Sequence, residues 1–267
     1  MPQYTDSGIT WNYILNGSNA TIGDGTQNNG NATTLGRGLS GAITIPSTID
    51  GYTVTGIGER AFYLCTSLET IDLSGTQVET IGGYAFYYCS KLDSIDLPNS
   101  LTTIGYRAFY KCTSLETIDL SETQVISIGE YAFYQCSNLT SIDLSGTQVT
   151  TISNHTFHSC SSLNSVTLPT NHLFTTIGKY AFNNCSSLTL IDLPNSLISI
   201  GEFVFRDCFI LPSITIPYSV TTIGSGAFQQ AGLTSITVHA NNNSFSDISG
   251  VLFNKDQSTL IQYPIGK

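Results

Sequence analysis

Charge is scarce in this chain. Only 10% of its 267 residues are charged, and nine basic residues face 19 acidic ones, for a net charge of −10. About a quarter is usual for a globular protein. The shortage of Lys and Arg argues against a nucleic-acid partner, whose phosphates need a basic footprint. It argues equally against an anionic membrane surface. Long apolar runs are missing too. No stretch has the length and apolarity of a membrane span, and Met1-Pro2-Gln3-Tyr4 lacks the basic and apolar regions of a secretory leader. From its start alone the chain reads as cytosolic or as a processed piece. Phosphate-binding loops of the P-loop or dinucleotide kind are absent, and no Ser-His-Asp arrangement is legible. No catalytic residue, cofactor or direct membrane insertion is therefore expected.

What the chain has is repetition. A Phe column marks the register: Phe62, Phe86, Phe109, Phe133, Phe157, Phe182, Phe205 and Phe228, spaced 23 to 25 residues apart. A period in this range signals a solenoid, whose units stack because none can bury its own apolar face. Each unit reads L-x-x-I-x-L, a strand whose alternate residues point inward, as in Leu68, Ile71 and Leu73. Ser or Pro then ends the strand. A second extended stretch follows, with Val78 and Ile81 as one instance, and an Ile-Gly step turns the chain. The closing Ala-Phe-x-x-Cys has apolar residues at offsets 0, 1 and 4, a spacing that predicts a short α or 3₁₀ turn.

All seven cysteines share one repeat position: Cys65, Cys89, Cys112, Cys136, Cys160, Cys185 and Cys208, each three residues after a Phe. Ala231 holds that place in the eighth unit. A thiol that Ala replaces is a small packing group. Parallel stacking would hold these side chains about 4.8 Å apart, a poor geometry for disulfides, so buried free thiols are expected.

Three regions follow. Residues 1–40 read as an N-terminal β cap, with strands in Ile9–Leu15 and Ala20–Ile22 around an Asn16-Gly17-Ser18 turn, then a Gly-, Asn- and Thr-rich loop over 23–38. Residues 41–238 form the solenoid of about eight repeats, opened by a degenerate strand at Ile43-Thr44-Ile45-Pro46. Residues 239–267 read as a hairpin around Asn254–Gln257, either a C-terminal cap or a spacer before further repeats.

The run Ile-Gly-x-x-Ala-Phe-x-x-Cys-x-x-Leu-x-x-Ile-x-Leu-Pro, as in Ile104 to Leu120 and Ile177 to Pro194, resembles the BspA-like leucine-rich repeat family over residues 41–238. The segment Ile45 to Val54 is similar to that family's entry repeat, and Gly250 to Lys267 to its hairpin segment. Three repeats depart from the commoner Leu-Pro step and carry Ser-[Gly/Glu]-Thr-Gln-Val. The resemblance implies an α/β leucine-rich-repeat solenoid, with a curved parallel β-sheet on the concave face and short α or 3₁₀ turns opposite. It also implies a non-enzymatic extracellular or cell-surface protein, engaged in adhesion to a protein or glycan on another cell or matrix, or in self-association.

Two surfaces are candidates for contact. Strand residues that alternate with the inward Ile and Leu face outward. They form a carboxylate column, Asp72, Asp96, Asp119, Asp143 and Asp192, with Thr167, Thr215 and Thr237 in the remaining places. Beside it runs a hydroxyl column, Thr70, Ser94, Thr117, Ser141 and Ser165, which Leu190 interrupts. This face reads either as a site for a basic partner segment, a cation or sugar hydroxyls, or as a solvated polar surface on which Ser and Thr bond the carboxylates. Tyr63, Tyr87, Tyr110 and Tyr134 form a second column on the turn side. It reads either as an interface or as rings covering one another along a ridge. His155 and His158 occupy slots that Tyr holds elsewhere, and Cys160 points inward, so surface substitution is favoured over a metal site. Sequons occur at Asn16, Asn19, Asn31, Asn138, Asn154, Asn184 and Asn242.

Overall fold

A computed structural model describes residues 2–23 and 38–267. Most of the 23–38 loop and the sequon at Asn31 lie outside the described residues. The Phe residues number the coils, one at Phe62 to eight at Phe228. Most coils carry two short strands that pair in parallel with their counterparts in neighbouring coils, making two walls. The first wall holds the L-x-x-I-x-L segments. It runs through Ser40–Thr44, Ser67–Asp72 and Ser94–Asp96, then Ser141–Asp143, Ser165–Thr167 and Leu190–Ile191, and finally Ser213–Ile216 and Ser235–Val238. Residues 117–119 belong to no paired strand, so this wall is interrupted there and again after coil six. The second wall links Tyr52–Ile57, Thr80–Ile81, Thr103–Ile104 and Ser127–Ile128, then Thr151–Ile152 through Thr222–Ile223.

The third side of each coil corrects the helical expectation: the Ala-Phe-x-x-Cys segment contains no helix. Local bonds span three residues, as in Ala85 N to Gly82 O, Tyr87 N to Tyr84 O and Cys89 N to Phe86 O. The alternate amides turn outward instead and donate to the next coil: Tyr84 N to Tyr106 O, Phe86 N to Ala108 O and Tyr88 N to Tyr110 O. Two residues per coil take the left-handed conformation to allow this, for example Tyr84 (φ 56°) and Tyr88 (φ 59°). Such residues cost about 1–2 kcal/mol each, which the inter-coil bonds offset. An isolated apolar spacing cannot reveal this, because the competing acceptors sit a full repeat away.

The core is one continuous cluster. The eight Phe rings stack within 9° of parallel, with centroid spacings that widen from 5.0 Å between Phe62 and Phe86 to 5.8 Å between Phe205 and Phe228. These exceed the roughly 4.8 Å between paired strands, so the coils fan apart toward the turns. All seven cysteines are buried and free. They also do more than pack. Each thiol from Cys89 to Cys208 donates to the carbonyl of the Phe in the preceding coil, at 3.1 to 3.3 Å. Burial pushes their pKa values up, that of Cys208 to about 12.

At the N-terminal end Gln3–Asp6, Ile9–Asn16 and Asn19–Ile22 form an antiparallel meander, with Gly17 left-handed in the second turn. Asn19–Ile22 then pairs in parallel with Tyr52–Ile57. Trp11 and Tyr13 are buried in the common core, and Tyr13 donates to Asp50 Oδ2 at 2.5 Å. At the other end Phe245–Ile248, Val251–Asn254 and Leu260–Gln262 form an antiparallel sheet. Fully buried Asn242 anchors it, with Nδ2 donating to the carbonyls of Pro217 and Val220 while Oδ1 accepts from the amides of Ser244 and Phe245. Among the described residues no helix is long and apolar enough to cross a membrane.

Candidate recognition surface on the first wall

The strand alternation places Ile71, Ile95, Ile118, Ile142 and Ile191 inside and the carboxylate column outside. Asp96, Asp119, Asp143 and Asp192 are exposed and Asp72 is half-buried. The column divides into two chemical kinds. Asp72 Oδ1 accepts from the amide and hydroxyl of Ser74 at 2.8 and 2.6 Å. Asp119 accepts from Ser121 N at 2.9 Å and Asp143 from Ser145 N at 2.8 Å. The bonds from Ser121 hold the Asp119 carboxyl below the usual carboxylate range. These three carboxylates close their own turns. Asp96 and Asp192 are followed at the same place by Pro98 and Pro194, which have no amide hydrogen to give. Among the described residues neither carboxylate has a hydrogen-bond partner.

The hydroxyl column does not bond the carboxylates. Thr70, Thr117, Ser141 and Ser165 make no side-chain hydrogen bond among the described residues, and Ser94 Oγ turns to Asp93 Oδ1 at 3.0 Å. Donors and acceptors on this face are therefore free for a partner.

Two shallow grooves open on this wall, one beside the break at 117–119 and one between coils five and six. One, of about 260 Å³, is lined by Asp96, Leu97, Asn99, Asp119 and Glu122 among others. The second, of about 310 Å³, has Thr167, Leu168, Thr170, Leu190, Asp192 and Leu193 in its lining. Both centre on the recurring run Ile-Asp-Leu-Pro-Asn-Ser-Leu, at 95–101 and 191–197. In both, the Leu after the free Asp is only partly buried, whereas Leu73, Leu120, Leu144 and Leu168 are buried. Sequence reasoning passed over Leu97, Leu190 and Leu193 as contact residues. The signal was present in the repeated heptapeptide and in Leu190, a solitary apolar residue in a hydroxyl column.

On the turn side Tyr63, Tyr87, Tyr110 and Tyr134 are half-buried and stack face to face at 4.7 to 5.0 Å. A parallel column joins Arg60, Tyr84, Arg107, Tyr131, His155, Tyr180 and Phe203. Arg107 lies over both Tyr84 and Tyr131, at 5.8 and 4.9 Å. Most ring faces are thus already covered within the molecule. His155 is sandwiched by Tyr131 and Tyr180, and its Nδ1 lies 3.2 Å from that of His158. Burial lowers both pKa values, that of His158 to about 4, where the neighbouring His155 adds to the effect. Among the described residues no three His, Cys, Asp or Glu side chains are grouped to hold a metal.

Stacked coils with a uniform interior and a differentiated exterior define a parallel β-solenoid repeat protein. The chain belongs to the BspA-type leucine-rich repeat family, whose model matches residues 55–174 and 126–259 in six copies. Proteins of this family are generally non-enzymatic and typically surface-associated. The chain is similar to a leucine rich cell surface protein from Faecalibacterium prausnitzii A2-165, at 28% identity and a TM-score of 0.67, over 99% of this chain and 62% of that one. It is also similar to the T. pallidum leucine-rich repeat protein, at 31% identity and a TM-score of 0.64, over 78% of this chain and 91% of that one. The chain thus spans less than two thirds of the F. prausnitzii protein. Among curated proteins none matches.

Proposed function

We propose that this chain is a non-enzymatic recognition module displayed outside the cell, which binds a protein or glycan partner through the first wall. The observation that carries this reading is the unused bonding capacity of that face: among the described residues the Asp96 and Asp192 carboxylates and the hydroxyls of Thr70, Thr117, Ser141 and Ser165 project outward without side-chain hydrogen-bond partners. Eight coils at a strand spacing of about 4.8 Å span about 38 Å. With its rims such a face reaches the roughly 800 Å² per side of a standard interface. The cell-surface description of the F. prausnitzii relative supports the location.

The test is an array of matrix proteins and glycans probed with the native chain and with a variant carrying Asp96→Asn, Asp119→Asn and Asp143→Asn. The reading expects binding that weakens in the variant and falls as salt rises. Binding that survives these three substitutions and Asp192→Asn as well moves the site off this wall. Self-association through the Tyr ridge is the second reading of the surface. The ring faces already stacked within the ridge speak against it. Light scattering that grows with protein concentration would reinstate it.

A further inference from the structure

The groove at Leu190 and Asp192 differs from the rest of the wall. Upstream the outward column is a row of carboxylates, Asp72, Asp96, Asp119 and Asp143; here Thr167 leaves Asp192 a single negative charge among hydroxyls and aliphatic groups. Leu190 is 58% exposed where other coils place Ser or Thr. Leu193 beside it is only partly buried. Leu190 thus presents apolar surface to solvent in the same groove as the Asp192 carboxylate.

We propose, on the reading that the first wall is the binding face, that this groove receives a lysine or arginine side chain of a partner protein. The head group would meet the Asp192 carboxylate, and the methylene stem would lie on Leu190 and Leu193. Long basic side chains join these two chemistries in one group, an apolar stem and a charged tip. A sugar ring fits less well, because the groove offers no aromatic platform. The net charge of −10 draws basic partners and repels acidic ones.

The twin groove at Asp96 has the same Asp-Leu-Pro frame and adds Asp119 and Glu122, so it suits a second cationic group. Four coils separate the two grooves, about 19 Å at the spacing of paired strands, which an extended partner segment covers in about six residues. Two basic residues about six positions apart would engage both.

A phage-displayed library of linear peptides, selected on the immobilised full chain, tests this. The expected winners carry Lys or Arg, often as a pair about six residues apart. Affinity of each winner should fall about fivefold on Asp192→Asn and about threefold on Leu190→Ser. Both substituted residues are exposed, so unfolding curves should superimpose on the native one. Winners without basic residues, or no enrichment at all, overturn the proposal. So does binding that ignores Asp192→Asn and Leu190→Ser yet is lost with Asp96, Asp119 and Asp143 changed to Asn; that outcome leaves the wall as the binding face. Binding indifferent to all five substitutions overturns both.

Discussion

Coils one to four and coils five to eight share an interior and differ outside. In the first half the ridge column after each Phe is Tyr63, Tyr87, Tyr110 and Tyr134; in the second it becomes His158, Asn183, Arg206 and Gln229. The wall changes in step, from four consecutive carboxylates to Thr167, Asp192, Thr215 and Thr237. The interior hardly changes. Phe persists throughout and Cys through coil seven, with Ala231 in coil eight, while the ring spacing widens from 5.0–5.3 Å in the first half to 5.5–5.8 Å in the last three steps. A buried column must match the coil above and the coil below, so a change there is felt by both neighbours. An outward residue answers mainly to solvent and is free to diversify. The axis of the solenoid is therefore where partner chemistry varies.

The largest expected effect tests whether the halves share one core. Phe133→Ala and Phe205→Ala should each cost about 3–5 kcal/mol in urea unfolding. A cost for Phe205→Ala far below that for Phe133→Ala would mean that the wider-spaced half packs independently.

A smaller effect separates the ridges. His155 and His158 have lowered native pKa values, that of His158 about 4, so below the unfolded value of about 6.5 the unfolded chain binds more protons. Their contribution is intact above about pH 6.5 and is lost as pH falls toward 4. After allowance for solvent screening of half-exposed rings, the loss should be about 1–2 kcal/mol. Glu130, which favours protonation of His155, moderates it. His158→Tyr restores the ring of the first half and should flatten the melting temperature against pH over this window. An unchanged slope would show that the pair does not titrate as its burial implies.

The smallest effect distinguishes the two kinds of aspartate. Asp119→Ala removes the acceptor of the Ser121 amide and should cost about 0.5–1.5 kcal/mol. Asp96→Ala removes no bond and should stay within about 0.5 kcal/mol. Equal costs would erase the distinction between turn-closing and partner-facing carboxylates.

Much of this was legible in the residues. The Phe spacing set the register, the Ile and Leu alternation separated interior from exterior, and replacement of Cys by Ala231 marked the thiols as packing groups. The aspartate distinction was also on view in Ser121 against Pro98, since only one has an amide hydrogen. The helical expectation failed for a different reason. Offsets within Ala-Phe-x-x-Cys report which residues face inward, and a helix and a pair of left-handed turns both satisfy them. Choosing between them requires the acceptors of Tyr84, Phe86 and Tyr88, which belong to the next coil.

The sequence by itself determined the repeat, its inward columns and the sign of its outer face, because these depend on which residues recur at one period. Only the tertiary structure decided that the turns are non-helical, that the wall parts near Asp96 and after Asp192, and that the thiols reach back to Phe carbonyls. Those outcomes rest on hydrogen bonds between groups more than twenty residues apart, and stacking alone brings them within reach.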